Sequence, residues 1–122
     1  MKIITIIGAR PQFIKAAALS NAIKQYNKEN ESQINEILVH TGQHFDSNMS
    51  QVFFDELSIT EPVYNLSISG GTHGSMTGKM LIEIEKVLLA EQPDWVLIYG
   101  DTNSTLAGAI AASKLHIKVA HV

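Results

Sequence analysis

The sequence contains no cysteine, which removes disulfides, thiolate metal sites and cysteine nucleophiles together. It has little proline, with three residues in 122, and no apolar run approaches the roughly 20 residues that a membrane-spanning helix needs. An excess of either charge is lacking too. Nine basic and twelve acidic side chains leave a formal charge of -3, so the chain has no general attraction for nucleic acid or anionic lipid. Any anion site must be local. The start, Met1-Lys2 and five apolar or hydroxyl residues before Gly8, is too short and too β-branched for a signal peptide. These absences point to a cytoplasmic, soluble protein whose partners are neither nucleic acid nor membrane.

What is present is a 45% hydrophobic chain of a length that makes one compact domain with a real core. Lys2-Ile3-Ile4-Thr5-Ile6-Ile7 is β-branched and almost continuously apolar, as suits a strand buried on both faces of a parallel sheet. It stops at Gly8, and Pro11 fits the first turn of a helix. That helix is expected over residues 12–28, with Ala16, Leu19, Ile23 and Tyr26 as its apolar stripe. A second strand follows at residues 36–41 and ends at Gly42. Asp46-Ser47 starts a further helix, with Met49, Val52, Phe53, Phe54 and Leu57 inward. Residues 62–68 alternate only partly and read as a short or edge strand, and residues 69–74 as a polar loop, either a mobile lid or a plain linker. A long helix is expected over residues 75–91, with Met76, Met80, Ile84, Val87 and Leu88 inward and Glu83, Glu85, Lys86 and Glu91 outward. An apolar run ends at Gly100, a helix covers about residues 105–115, and residues 116–122 open another strand. This β-α-β-α order implies a doubly wound parallel α/β sheet with helices on both faces. The switch point then falls between the first strand and the one ending at Gly100, which makes the Arg10 and Asp101 loops neighbours across one crevice.

Arg10 carries a planar fork of donors that matches phosphate oxygens, beside the N–H groups of a helix start. Lys15 lies one turn further in and leans back toward the same point. The pair reads as a diphosphate cradle, against the bland alternative of two solvated cations. A dinucleotide fingerprint is excluded because Arg10 stands where a second glycine is needed, and Gly78-Lys79-Met80 lacks the hydroxyl of a nucleotide-hydrolase loop. Asp101 either caps the following helix or, with Thr102, Asn103 and Ser104 able to cap instead, accepts hydrogen bonds from sugar hydroxyls. His40 and His44 are four apart, but Gly42 between them at a strand end keeps the rings off one face, which argues against a metal pair. Gln43 and His44 read as polar ligand contacts or as loop. For His121, an ordinary half-buried histidine is preferred over a group pointing into the crevice. No Gly-x-Ser-x-Gly nucleophile turn occurs.

Gly8-Ala9-Arg10-Pro11-Gln12-Phe13-Ile14-Lys15, His40-Thr41-Gly42-Gln43-His44 and Tyr99-Gly100-Asp101-Thr102-Asn103-Ser104-Thr105, followed at the end by Val119-Ala120-His121-Val122, resemble the N-terminal domain of the non-hydrolysing UDP-N-acetylglucosamine 2-epimerases. The resemblance runs through all 122 residues. It implies a Rossmann-like N-terminal half of a glycosyltransferase-B type fold, an active site between two domains, and a homodimer. The implied reaction inverts C2 of UDP-N-acetylglucosamine by anti elimination of UDP to a 2-acetamidoglucal and re-addition on the other face, with no metal or redox cofactor. At the matching positions Arg10 and Lys15 serve the diphosphate and its departure, Asp101 contacts the sugar and its acid/base network, and Gln43, His44 and Thr102 add substrate contacts. The family motif continues into Glu-Ala-Gly past Val122, so the chain reads as a domain cut before a catalytic carboxylate and inactive alone. Gln43 matches a residue of the family's allosteric site, but Asp46, Gly70 and Gly71 depart from it. Instead, residues 70–78 resemble the subgroup acting on UDP-2,3-diacetamido-2,3-dideoxyglucuronate, an O-antigen precursor, which ranks nearly level as substrate. The other readings are a hydrolysing variant or glycosyltransferase of the same architecture, and a non-catalytic nucleotide-sugar binding domain.

Overall fold

The computed structural model describes residues 1–42, 55–57 and 62–122. Its elements in chain order are β1 (Lys2–Ile7), α1 (Arg10–Glu29), β2 (Asn35–His40), β3 (Tyr64–Asn65), α2 (His73–Glu91), β4 (Trp95–Ile98), α3 (Asn103–Lys114) and β5 (Lys118–His121). The expected helix start at Asp46-Ser47 and its inward residues Met49, Val52, Phe53 and Phe54 lie outside the described residues. The strands form one sheet in the order β3-β2-β1-β4-β5, and every pair is parallel. As the doubly wound reading required, β1 lies next to β4, with Ile4 opposite Val96 and Ile6 opposite Ile98.

Period-two alternation along the strands divides the core into two layers. On one face Ile7, Leu38, Leu97 and Tyr99 pack against Phe13, Ala16 and Ala17 of α1, with Leu57 at the margin. On the other, Ile4, Ile6, Ile37, Val39, Val96 and Ile98 meet Met80, Ile84 and Leu88 of α2 and Ala107, Ala111 and Ala112 of α3. The small residues on α3 let it lie close to the sheet. A Cβ on Gly108 would stand 3.0 Å from Ile98 and 3.1 Å from Ile6. The edge strand β3 is short, but its ladder runs on, with Leu66 N–H donating to His40 O and Ile68 N–H to Thr41 O, both at 2.8 Å.

Three expectations change. The buried stripe of α1 runs through Phe13, Ala16, Ala17, Ser20 and Ile23, while Leu19 and Tyr26 are exposed. A three- or four-residue step through Ala16 and Ile23 fits two neighbouring stripes, and the smaller side chains were the ones facing the sheet. Glu91 does not point outward. It is half-buried, accepting from Tyr64 Oη at 2.7 Å and pairing with Lys2 Nζ at 3.3 Å. The Tyr64 hydrogen bond, followed by that of Lys2, holds its carboxyl below the ordinary value. Finally, α2 begins at His73, earlier than expected, because Thr72 Oγ1 accepts from Ser75 N–H at 3.2 Å and caps it. The loop before it is therefore shorter than the glycines suggested. Among the described residues no helix is long and apolar enough to cross a membrane.

Candidate active site

Parallel pairing brings the C-terminal ends of β1 and β4 side by side, and the chain leaves them in opposite directions, to α1 on one face and α3 on the other. This is the crevice at which open α/β sheets take ligands. Arg10 is the first residue of α1 and Lys15 lies just over one turn further, both exposed. Asp101 and Thr102 stand across from them at the end of β4.

One detail of the α1 mouth differs from the expectation of bare backbone donors. Gln12 and Phe13 N–H both donate to Ala9 O, at 2.9 and 3.2 Å, and Pro11 has no N–H to offer. The N–H groups of Gly8 and Ala9 donate to Gln12 Oε1 at 2.8 and 3.2 Å. Ala9 has no side-chain acceptor, so only the reciprocal half of a capping box forms, from Gln12 back to the chain. An anion here would be met mainly by side-chain cations and the helix dipole.

The same Gln12 reaches across the switch point. Its Nε2 donates to Tyr99 O at 2.7 Å and to Thr102 Oγ1 at 3.1 Å, and the residue is 5% exposed. Sequence reasoning passed over Gln12. The available signal was a polar residue at the third position of a helix whose cap is alanine.

At the β4 end the cap is settled. Thr102 is the N-cap of α3, accepting from Thr105 N–H at 3.4 Å while Thr105 Oγ1 accepts from Thr102 N–H at 3.2 Å. This capping box relieves Asp101 of that duty and leaves its carboxylate exposed. Asp101 lines an open groove with Thr102, Thr105, Leu106 and His121. His121 is exposed rather than half-buried, and its Nε2 donates to Gly100 O at 2.7 Å, since a carbonyl can only accept. A buried contact between Thr41 Oγ1 and Ser104 Oγ at 2.8 Å ties the end of β2 to the start of α3. Gln43 and His44 lie outside the described residues.

Two buried titratable groups serve the scaffold. Tyr99 is 1% exposed, and burial, with Glu36 adding to it, pushes its phenol up to about 12. It stays neutral and is no acid/base candidate. His40 is 2% exposed, with its ring edge-on to Phe13 at 5.1 Å. Burial pushes its imidazole below the ordinary 6.5, against a smaller upward pull from the Gly8 backbone. Below pH 6.5 the unfolded chain therefore binds a proton that folded His40 resists, and stability falls with pH until the lowered value is reached. Urea midpoints are expected to decline as pH falls below about 6.5, and His40→Asn to flatten that decline. An unchanged slope in the variant would refute this role.

The sequence profile described as UDP-N-acetylglucosamine 2-epimerase matches residues 26–122. The chain is 63% identical over its whole length to the UDP-2,3-diacetamido-2,3-dideoxy-D-glucuronate 2-epimerase of Pseudomonas aeruginosa, covering 33% of that protein. It is 52% identical to the UDP-N-acetylglucosamine 2-epimerase of Methanocaldococcus jannaschii, covering 32% of it. The structure of the Methanocaldococcus jannaschii enzyme with UDP-N-acetylglucosamine and UDP superposes with a TM-score of 0.89 over all of this chain and 32% of that one. The S. aureus MnaA–UDP structure, 37% identical, gives 0.84 over 99% of this chain and 30% of that one. The chain thus spans about a third of the length of the relatives it matches. Its motifs, its parallel sheet and the profile match agree: the chain belongs to the UDP-N-acetylglucosamine 2-epimerase family.

Proposed function

We propose that the full-length protein containing this chain is a nucleotide-sugar 2-epimerase that inverts C2 of UDP-N-acetylglucosamine to give UDP-N-acetylmannosamine. This chain supplies one wall of the site. The observation that carries the reading is the meeting of the Arg10 and Asp101 loops at the β1/β4 switch point, bridged by Gln12, in a chain of this family. Inversion at C2 by elimination removes the C2 proton and expels UDP, and re-addition delivers a proton to the opposite face. The first half-reaction builds negative charge on the departing diphosphate, and fixed cations stabilise it. Arg10 and Lys15 take that role, Asp101 and Thr102 contact the sugar, and Gln43 and His44 add contacts from the β2 end. The remaining acid/base groups and the uridine site come from the second domain of a glycosyltransferase-B type fold, in a cytoplasmic homodimer that needs no metal or redox cofactor.

A second reading is favoured by the 63% identity to the Pseudomonas aeruginosa protein and by the glycines at residues 70–78. In it the substrate is UDP-2,3-diacetamido-2,3-dideoxyglucuronate and the product feeds polysaccharide biosynthesis. One experiment tests both. Full-length protein is incubated with each UDP-sugar in D2O and followed by proton NMR. The true substrate is expected to yield its C2 epimer with deuterium at C2. No epimer from either sugar would overturn the proposal, and an epimer that keeps its original C2 hydrogen would overturn the elimination route.

A further inference from the structure

Gln12 plays no part in the chemistry proposed above, yet its four hydrogen bonds of 2.7 to 3.2 Å make it one of the most constrained polar side chains at the crevice. Its two ends do different things. Oε1 gathers the N–H groups of Gly8 and Ala9, just before Arg10. Nε2 holds Tyr99 O and the hydroxyl of Thr102, on either side of Gly100 and Asp101. Capping α1 would need only the acceptor end. The donor end crosses to a strand end 87 residues away in sequence, and a buried amide satisfied at both ends resists stretching, because any parting of the loops leaves polar groups unpaired in the interior.

We infer that Gln12 is a positioning residue that fixes the separation between Arg10 and Asp101 without touching the substrate. What those two residues do rests on the proposed function, but the bridge itself does not. It also explains how two exposed side chains on opposite faces of the sheet could be held to catalytic tolerance, where a displacement of about 1 Å can cost about 10²-fold in rate.

Two variants separate positioning from mere capping. Gln12→Met keeps the approximate volume and removes both ends. Gln12→Glu keeps the acceptor end. Its second oxygen takes the place of Nε2 and faces Tyr99 O, to which a carboxylate cannot donate, so the bond across the crevice is lost while the bonds from Gly8 and Ala9 N–H remain. Each variant is made in the full-length protein and followed by steady-state kinetics with both UDP-sugars. Hydrogen exchange is measured on peptides spanning residues 8–12 and 99–105.

For Gln12→Met the expected result is a fall in kcat of about 10²-fold with KM within about threefold, and faster exchange in both peptides. Gln12→Glu is expected to keep the protection of residues 8–12 but to lose rate and the protection of residues 99–105 as Gln12→Met does, and wild-type kcat in it would also overturn the inference. Folded Gln12→Met with wild-type kcat, or with faster exchange in residues 8–12 alone, overturns the inference. Should Gln12→Met fail to fold, Gln12→Asn, one methylene too short to span both loops, gives the same readouts. If wild-type protein turns over neither sugar, the functional reading fails, and exchange in residues 99–105 still judges the bridge.

Discussion

Gly42→Ala is expected to destabilise the chain by about 3 to 5 kcal/mol, a large share of the ~5–15 kcal/mol that holds a domain of this kind together. The loss has two sources. Gly42 has φ of +89°, a conformation that costs an L-residue about 1–2 kcal/mol. An added Cβ would also stand 2.7 Å from Ile68 N and 2.8 Å from Ser67 Cα. These are backbone atoms of the segment continuing the edge strand, so no side chain can swing aside. Relief requires residues 67–68 to move away, which breaks the Ile68 N–H to Thr41 O bond; overpacking of this kind costs about 1–3 kcal/mol. Gly70→Ala is the internal comparison. Its φ is +75° with nothing within 4 Å of the new Cβ, so it carries the torsional cost alone. With a urea slope of roughly 1–3 kcal/mol/M, Gly42→Ala is expected to lower the midpoint by about 2 M and Gly70→Ala by less than half of that. Equal shifts in the two variants would show that the close approach contributes nothing.

That contrast also shows where sequence reading reaches its limit. Gly42 was legible as the end of β2, since an apolar run halted by glycine at the C-terminal edge of a sheet has few other meanings. Its true constraint, the neighbouring backbone 25 to 26 residues later in sequence, is a tertiary fact. The same division holds elsewhere. The order of elements and the β1/β4 adjacency followed from apolar runs halted by glycine, alternating with helices, and from the common strand order of doubly wound sheets with its switch point. Which stripe of α1 faces the sheet did not, because alanines and serines carry little hydrophobic signal, and close packing selected them over Leu19 and Tyr26. The Asp101 question turned on competition between adjacent good caps, and only geometry shows that Thr102 and Thr105 take the role. Gln12 was hidden for a related reason. A polar residue in the first turn of a helix ordinarily faces water, and what makes this one different lies 87 residues downstream. Candidate residues were thus legible wherever they lay within one motif. The support between motifs was not.

Arg10→Ala in the full-length protein is expected to lower kcat by about 10²–10³-fold, the range found when one fixed donor to a developing charge is removed. Position decides how much of that is realised. In this chain Arg10 is exposed, and at about 4 Å a pair of charges is worth about 1 kcal/mol in water against about 4 kcal/mol at an effective dielectric of 20. An effect of the expected size therefore requires water to be excluded from the crevice when a UDP-sugar is bound. Arg10→Lys is expected to recover only part of the rate, because an ammonium cannot grip two phosphate oxygens in one plane. Lys15→Ala is expected to cost less than Arg10→Ala, since its side chain must reach back over a helical turn. The split between constants separates the roles. A higher KM with unchanged kcat would mean that Arg10 holds substrate and transition state equally, and its part in UDP departure would be overturned. A fall in kcat that is insensitive to added salt between about 50 and 500 mM, where exposed charges are strongly screened, would show that the guanidinium acts in a closed, dry site.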